Sequence, residues 1–167
     1  IMLTEKWGYD AVFTPEGFGA ECLIPAGYLA GHVKHMTIGT RILQGTGRAP
    51  GKAIESFQGL NQLTGGNRII AGLGWGTPRQ CEGLEGKPWG NPVKRMRDYV
   101  AILRQGFAGQ HLDHQGSEWS APYRGPDARI HNPMKNGLVI ISDIPIMIAA
   151  ADPQMISLTA EIAEGWF

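Results

Sequence analysis

Short, almost wholly apolar runs recur along this chain, each followed by a longer segment with helical periodicity. Ala11 to Thr14, Met36 to Leu43, Ile69 to Leu73 and Ile144 to Ala151 are too brief for helices and lie between turn residues. Between them, apolar residues return at helical spacing in Leu23 to Val33, Lys52 to Leu63, Val93 to Phe107 and Gln154 to Glu164. Buried strands joined by helices must run parallel, through right-handed crossovers. The order therefore predicts an α/β chain built on a parallel sheet. Two architectures carry it, the doubly wound open sheet and the (β/α)8 TIM barrel, and both build their sites at the C-terminal ends of the strands. The loops after Thr14, Leu43, Gly74 and Ala151 are thus expected to converge.

Local signals place the boundaries. Gly65-Gly66 stops the helix that begins near Lys52, while Asn91-Pro92 and Asp152-Pro153 each supply an N-cap and a first-turn proline. From Ala108 to Ser142 the periodicity fails, so residues 108–142 read as an insertion, with a hairpin between Leu112 and Tyr123. Residues 1–167 otherwise read as one domain. The chain opens on Ile1 in the tail of a helix, Met2 to Trp7, and stops at Gly165-Trp-Phe167 at the start of a strand. It is therefore expected to be part of a longer chain.

Fifteen Lys and Arg balance fifteen Asp and Glu, and they are scattered, which gives no footprint for nucleic acid or an acidic membrane surface. No run approaches the roughly 18 apolar residues of a membrane span, and no signal-peptide pattern precedes the first strand, so the cytoplasm is the expected compartment. Cys22 and Cys81 are too few and too isolated for a disulfide framework or a zinc site.

The densest candidate for chemistry is Gly72-Leu-Gly-Trp-Gly76, closing the strand that begins at Ile69. Its glycines would let a flat ligand approach the backbone. A dinucleotide fingerprint needs a helix at once and an acidic residue about 20 positions on. Here the next expected helix waits for Pro92, so that reading fails. Glu16 lies just past a strand end, where its plainest role is a cap or a salt bridge. Arg41 interrupts an apolar strand and is expected to face an anion at the open end of the fold, because a buried guanidinium needs a partner. Arg48 and Arg79, in strand-end loops, are phosphate candidates weighed against plain exposure. The helix start after Asp152-Pro153 could hold a phosphate, opposed by the Asp152 charge. His111 and His114, three apart in a hairpin, point to opposite faces and make no metal pair.

Several stretches together resemble the bacterial luciferase-like monooxygenase family, particularly its branch dependent on the deazaflavin coenzyme F420. They are Gly8-Tyr-Asp-Ala-Val-Phe-Thr-Pro-Glu16, Ile38-Gly-Thr40 with Ile42-Leu-Gln44, Leu60-Asn-Gln-Leu-Thr-Gly-Gly66, Ala71-Gly-Leu-Gly74, Glu82-Gly-Leu-Glu-Gly86, and Ile144-Pro-Ile-Met-Ile-Ala-Ala150 with Ala160-Glu-Ile-Ala-Glu-Gly-Trp166. The resemblance implies a partial barrel covering about strands 2 to 6. It also implies a flavin or deazaflavin ring across the strand ends, beside a bulge with a non-prolyl cis peptide at Arg41-Ile42. Arg41, Ile42, Gly74, Trp75, Gly76, Thr77, Arg79, Ala151, Asp152 and Met155 would then contact the cofactor, with Gly74 and its neighbours kept small for the ring. Glu16 would give acid-base help.

The implied activity is hydride transfer to or from a small organic substrate with F420. The alternatives are an FMN-dependent monooxygenase of the same fold and a non-catalytic flavin-binding barrel. A homodimer through helices 23–33 and 52–63 is implied as well. Two departures stand out: Gly17 replaces a histidine common in relatives, and Asp152-Pro153 replaces a common Gly-Pro.

Overall fold

In the computed structural model, which describes residues 2–167, the strands predicted outside residues 108–142 join one parallel sheet. Its order is β1 (Ala11–Thr14), β2 (Thr37–Thr40), β4 (Ile69–Gly74), β7 (Ile146–Ile148) and β8 (Gly165–Trp166), with β3 (Leu43–Gln44) continuing β2 along β4. Helix α1 (Met2–Lys6) stands where the helix tail Met2 to Trp7 is expected, and Ile1 lies outside the described residues. Neighbours in space are neighbours in sequence. That is the order of a barrel wall, and it differs from the doubly wound sheet, whose strand order reverses midway.

With every crossover in one hand, the helices fall on one side. Helices α2 (Leu23–His32), α3 (Pro50–Leu63), α5 (Pro92–Phe107) and α6 (Pro153–Ile162) pack consecutively there. Along β4 the side chains alternate, so Ile69, Ala71 and Leu73 enter the buried layer with Phe57, Ile102 and Leu103. On the opposite face, Phe13 of β1 and Phe167 beyond β8 meet with ring centroids 5.3 Å apart. In a flat sheet those outer strands would lie roughly 19 Å apart, four gaps of about 4.8 Å. The sheet therefore curls strongly around that face.

The predicted strand Met36 to Leu43 is broken in two. Ile38 and Gly39 stand opposite Ile69 and Ile70, whereas Leu43 and Gln44 stand opposite Leu73 and Gly74. Four steps on one strand match three on the other, a one-residue bulge. The Arg41-Ile42 peptide within it is cis, as the resemblance implies. Where ladder bonds are lost, the Thr40 hydroxyl substitutes, donating to the Gly72 carbonyl at 2.6 Å and accepting from its N–H at 3.1 Å.

The long stretch after Gly76, read as loop, contains a short helix, α4 (Pro78–Gly83), capped by the Thr77 hydroxyl. Between α5 and β7 the hairpin is real but brief, β5 (His114–Gln115) with β6 (Ser120–Ala121). Asp98 of α5 pins it, accepting from the N–H groups of Glu118 and Trp119 and bonding His114 at 3.0 Å. No described helix is long and apolar enough to cross a membrane.

A Cβ added at Gly72 would lie 1.8 Å from the Thr40 carbonyl oxygen, whereas one at Gly59, in mid-helix, meets nothing within 4 Å. Gly72→Ala should destabilise the fold by about 3 kcal/mol or more, because backbone cannot yield to it. Gly59→Ala should stabilise by about 0.5–1 kcal/mol through helix propensity. Urea unfolding of the two variants checks both signs.

Candidate active site at the C-terminal strand ends

The loops that follow β1, β4 and β7 meet, with the bulge between β2 and β3, around a cavity of about 500 Å³. Glu16 lines it from the first loop, Ile42 and Gln44 from the bulge, Gly74 to Thr77 from the end of β4, and Ala151, Asp152 and Met155 from the turn into α6. Two of the residues singled out in the sequence stand apart. Arg41 is exposed, its guanidinium 5.2 Å from the centre of the Phe167 ring, and Arg79 stacks likewise on Phe18 at 5.5 Å. Neither lines the cavity, which corrects the expectation that Arg41 is buried facing an anion there. Arg48 is spent in an ion pair with Glu21 at 2.7 Å.

The small residues of β4 have a different immediate cause from the one expected. The space beyond Gly72 is taken by the Thr40 carbonyl and the Phe167 ring, and that beyond Gly74 by Ile42. Ile42, packed on Gly74, then forms part of the cavity wall. Gln80, Trp89 and Phe167 also line it and were not singled out in the sequence. Gln80 sits on α4, whose six residues are too few to show a helical period.

Glu16 is held from two sides. One carboxylate oxygen accepts from the Gln44 N–H, and the other lies 3.8 Å from Arg48. Burial pushes its carboxyl above the usual range; the Gln44 amide and Arg48 pull it back, and Glu21 reinforces the rise. The Cys22 thiol beside it is fully buried and pushed strongly up by the same burial, which keeps it a thiol. Glu16, Glu21 and Cys22 bring ligand-type atoms within 4.8 Å of one another. Arg48 bridges the two carboxylates, so the group is an ion-pair cluster and not a cation cage.

A cavity of about 700 Å³ opens at the other end of the sheet, near the strand starts at Thr37 and Ile69. The Arg104–Glu164 ion pair (2.7 Å) lies on it, and none of the candidate residues does. Convergence of the strand-end loops therefore marks the smaller cavity as the candidate site.

A parallel α/β sheet in barrel order, with its cavity at the C-terminal strand ends, describes a class that includes many enzymes. The sequence profile of the luciferase-like monooxygenases matches residues 1–167, and the chain belongs to that family. It is similar to a Mycobacterium tuberculosis protein named as a coenzyme F420-dependent oxidoreductase, with 30% identity over 99% of this chain and 48% of that protein. Among solved structures it resembles the F420-dependent tetrahydromethanopterin reductase of Methanopyrus kandleri, with a TM-score of 0.78 and 18% identity over 99% of this chain and 49% of the other. It also resembles the oxygenating constituent of 3,6-diketocamphane monooxygenase of Pseudomonas putida, solved with FMN, with a TM-score of 0.75 and 16% identity over 98% and 49%. The chain spans about half the length of these relatives.

Because folding favours the protonated Glu16, its contribution to stability is present at low pH and is lost as pH rises through its raised pKa. Glu16→Gln lacks this loss. The stability of the variant relative to the native chain should therefore rise between pH 4 and pH 8, as read by denaturant unfolding at each pH; a constant difference would contradict the burial argument.

Proposed function

We propose that the cavity receives the flat ring of coenzyme F420 and that the protein transfers hydride to or from a small organic substrate. In this reading residues 1–167 supply about strands 2 to 6 of a single (β/α)8 barrel domain. The carrying observation is the convergence of Glu16, Ile42, Gly74 to Thr77 and Ala151 to Met155 on one cavity at the strand ends.

The residues present suit such a ring. The cavity volume falls within the range usual for cofactor sites. Trp75, Trp89, Phe167 and Met155 offer apolar surface, while the Gln44 and Gln80 amides offer donors and acceptors to ring-edge heteroatoms. The indole N–H of Trp75 is buried and has no hydrogen-bond partner among the described residues. When bound, a deazaflavin carries hydride, whereas reduced FMN reacts with dioxygen. The chain's own part is to position substrate, exclude water behind the aromatic walls, and move a proton. Glu16 suits the last task, because burial raises its carboxyl above the usual range and the Gln44 N–H fixes its orientation at the cavity wall. FMN remains the second reading, favoured by the FMN-bound relative.

The same reading gives a homodimer packed through α2 and α3. Ile24 (76% exposed) and Tyr28 (58%) lie one turn apart on α2 with the small Gly27 between them, an apolar strip suited to a second copy.

Fluorescence titration with F420 and with FMN, followed by turnover of simple alcohols and carbonyl compounds, tests the reading. F420 should bind more tightly than FMN and turn over, and Glu16→Gln should keep binding while losing about 100-fold in rate. Binding of neither cofactor, or an unchanged rate in the variant, would sink the respective claim. Light scattering at micromolar concentration should show a dimer that Ile24→Asp dissociates; a monomeric native protein would refute it.

A further inference from the structure

The start of α6 opens on the cavity, which Ala151, Asp152 and Met155 all line. A helix N-terminus offers free N–H donors and a partial positive charge, an ordinary seat for phosphate. Here the seat is taken. Oδ1 of Asp152 accepts from both the Gln154 and the Met155 N–H, at 3.0 Å each, so a carboxylate already occupies the place of an anion. Pro153, at the first helical position, has no N–H to add.

Among the described residues, nothing else at the cavity compensates. The only charged side chains among the described residues that line it are two carboxylates, Glu16 and Asp152. Arg41 and Arg79 lie outside it over aromatic rings, and Arg48 is paired with Glu21. A phosphate entering here would meet like charge and spent donors. A sugar-alcohol chain would not, since hydroxyl groups donate to carboxylates, and among the described residues no hydrogen bond to Oδ2 of Asp152 is formed.

We propose that Asp152 is a specificity-determining residue that makes this site select the flavin-type ring and its polyol chain while giving no preference to the phosphorylated form. Riboflavin and its deaza analogue would bind at least as well as FMN and F420. This rests on the cofactor reading above and goes beyond it in naming which chemical form the cavity favours.

The test is a set of fluorescence titrations of the protein with riboflavin, FMN, F420 and the dephosphorylated deazaflavin riboside. In the native protein each phosphorylated compound should bind no tighter than its unphosphorylated partner. Asp152→Gly frees both N–H groups and removes the charge, and should tighten FMN about tenfold while riboflavin changes by less than about threefold. Asp152→Ser keeps a capping oxygen without the charge, and should give a smaller shift in the same direction in a helix that is still capped. A native protein that binds FMN tenfold or more tighter than riboflavin would overturn the proposal. So would a ratio unchanged in both variants. Binding of none of the four compounds is a different result, which overturns the cofactor reading and this inference with it.

Discussion

The contact on which the rest of the architecture turns is the approach of the Thr40 carbonyl to the Cα of Gly72. No side chain fits between them, and the Thr40 hydroxyl closes the gap by bonding both polar groups of Gly72. This lets β2 carry one extra residue without leaving buried backbone groups unpaired. The bulge then sets the site. It brings Ile42 down on Gly74 and aims the Gln44 N–H at Glu16, so that a carboxylate, an apolar wall and the end of β4 share one cavity.

The electrostatics of the site follow from what its charges already do. Arg48 is the nearest cation to Glu16, yet it is shared with Glu21, and burial outweighs its pull on the Glu16 carboxyl. Arg41 and Arg79 lie over aromatic faces, where a guanidinium gains cation–π attraction at the edge of the site and not charge contact within it. Asp152 spends the donors of α6 on its own cap. The cavity is left apolar on its broad walls, amide-lined at its edges and negative where it carries charge.

The element order was legible because each signal is local. Short apolar strand runs, the Asn91-Pro92 and Asp152-Pro153 starts and the Gly65-Gly66 stop act within a few residues of themselves, and the strands β1 and β4 and the helices α3, α5 and α6 begin within about two residues of where those signals put them. The candidate site was legible in outline for a similar reason: in parallel α/β folds the ends of strands are where loops converge, so Glu16, Gly74 to Thr77 and Ala151 to Met155 could be named from position alone. Helix α4 was not legible, since six residues with Pro78 at one end and Gly83 at the other carry too short a period to stand out.

Sequence alone thus determined the parallel α/β order, the family and the loops that would gather. Tertiary structure alone decided where individual side chains ended up, because those outcomes depend on contacts across more than 25 residues of chain: Thr40 with Gly72, Glu16 with Gln44, Arg41 with Phe167. A one-residue bulge reverses the face of every side chain beyond it, and no local pattern reports such a shift. Arg41, expected to be buried, stands exposed over the Phe167 ring, and the glycines expected to make room for a ligand make room first for the chain itself.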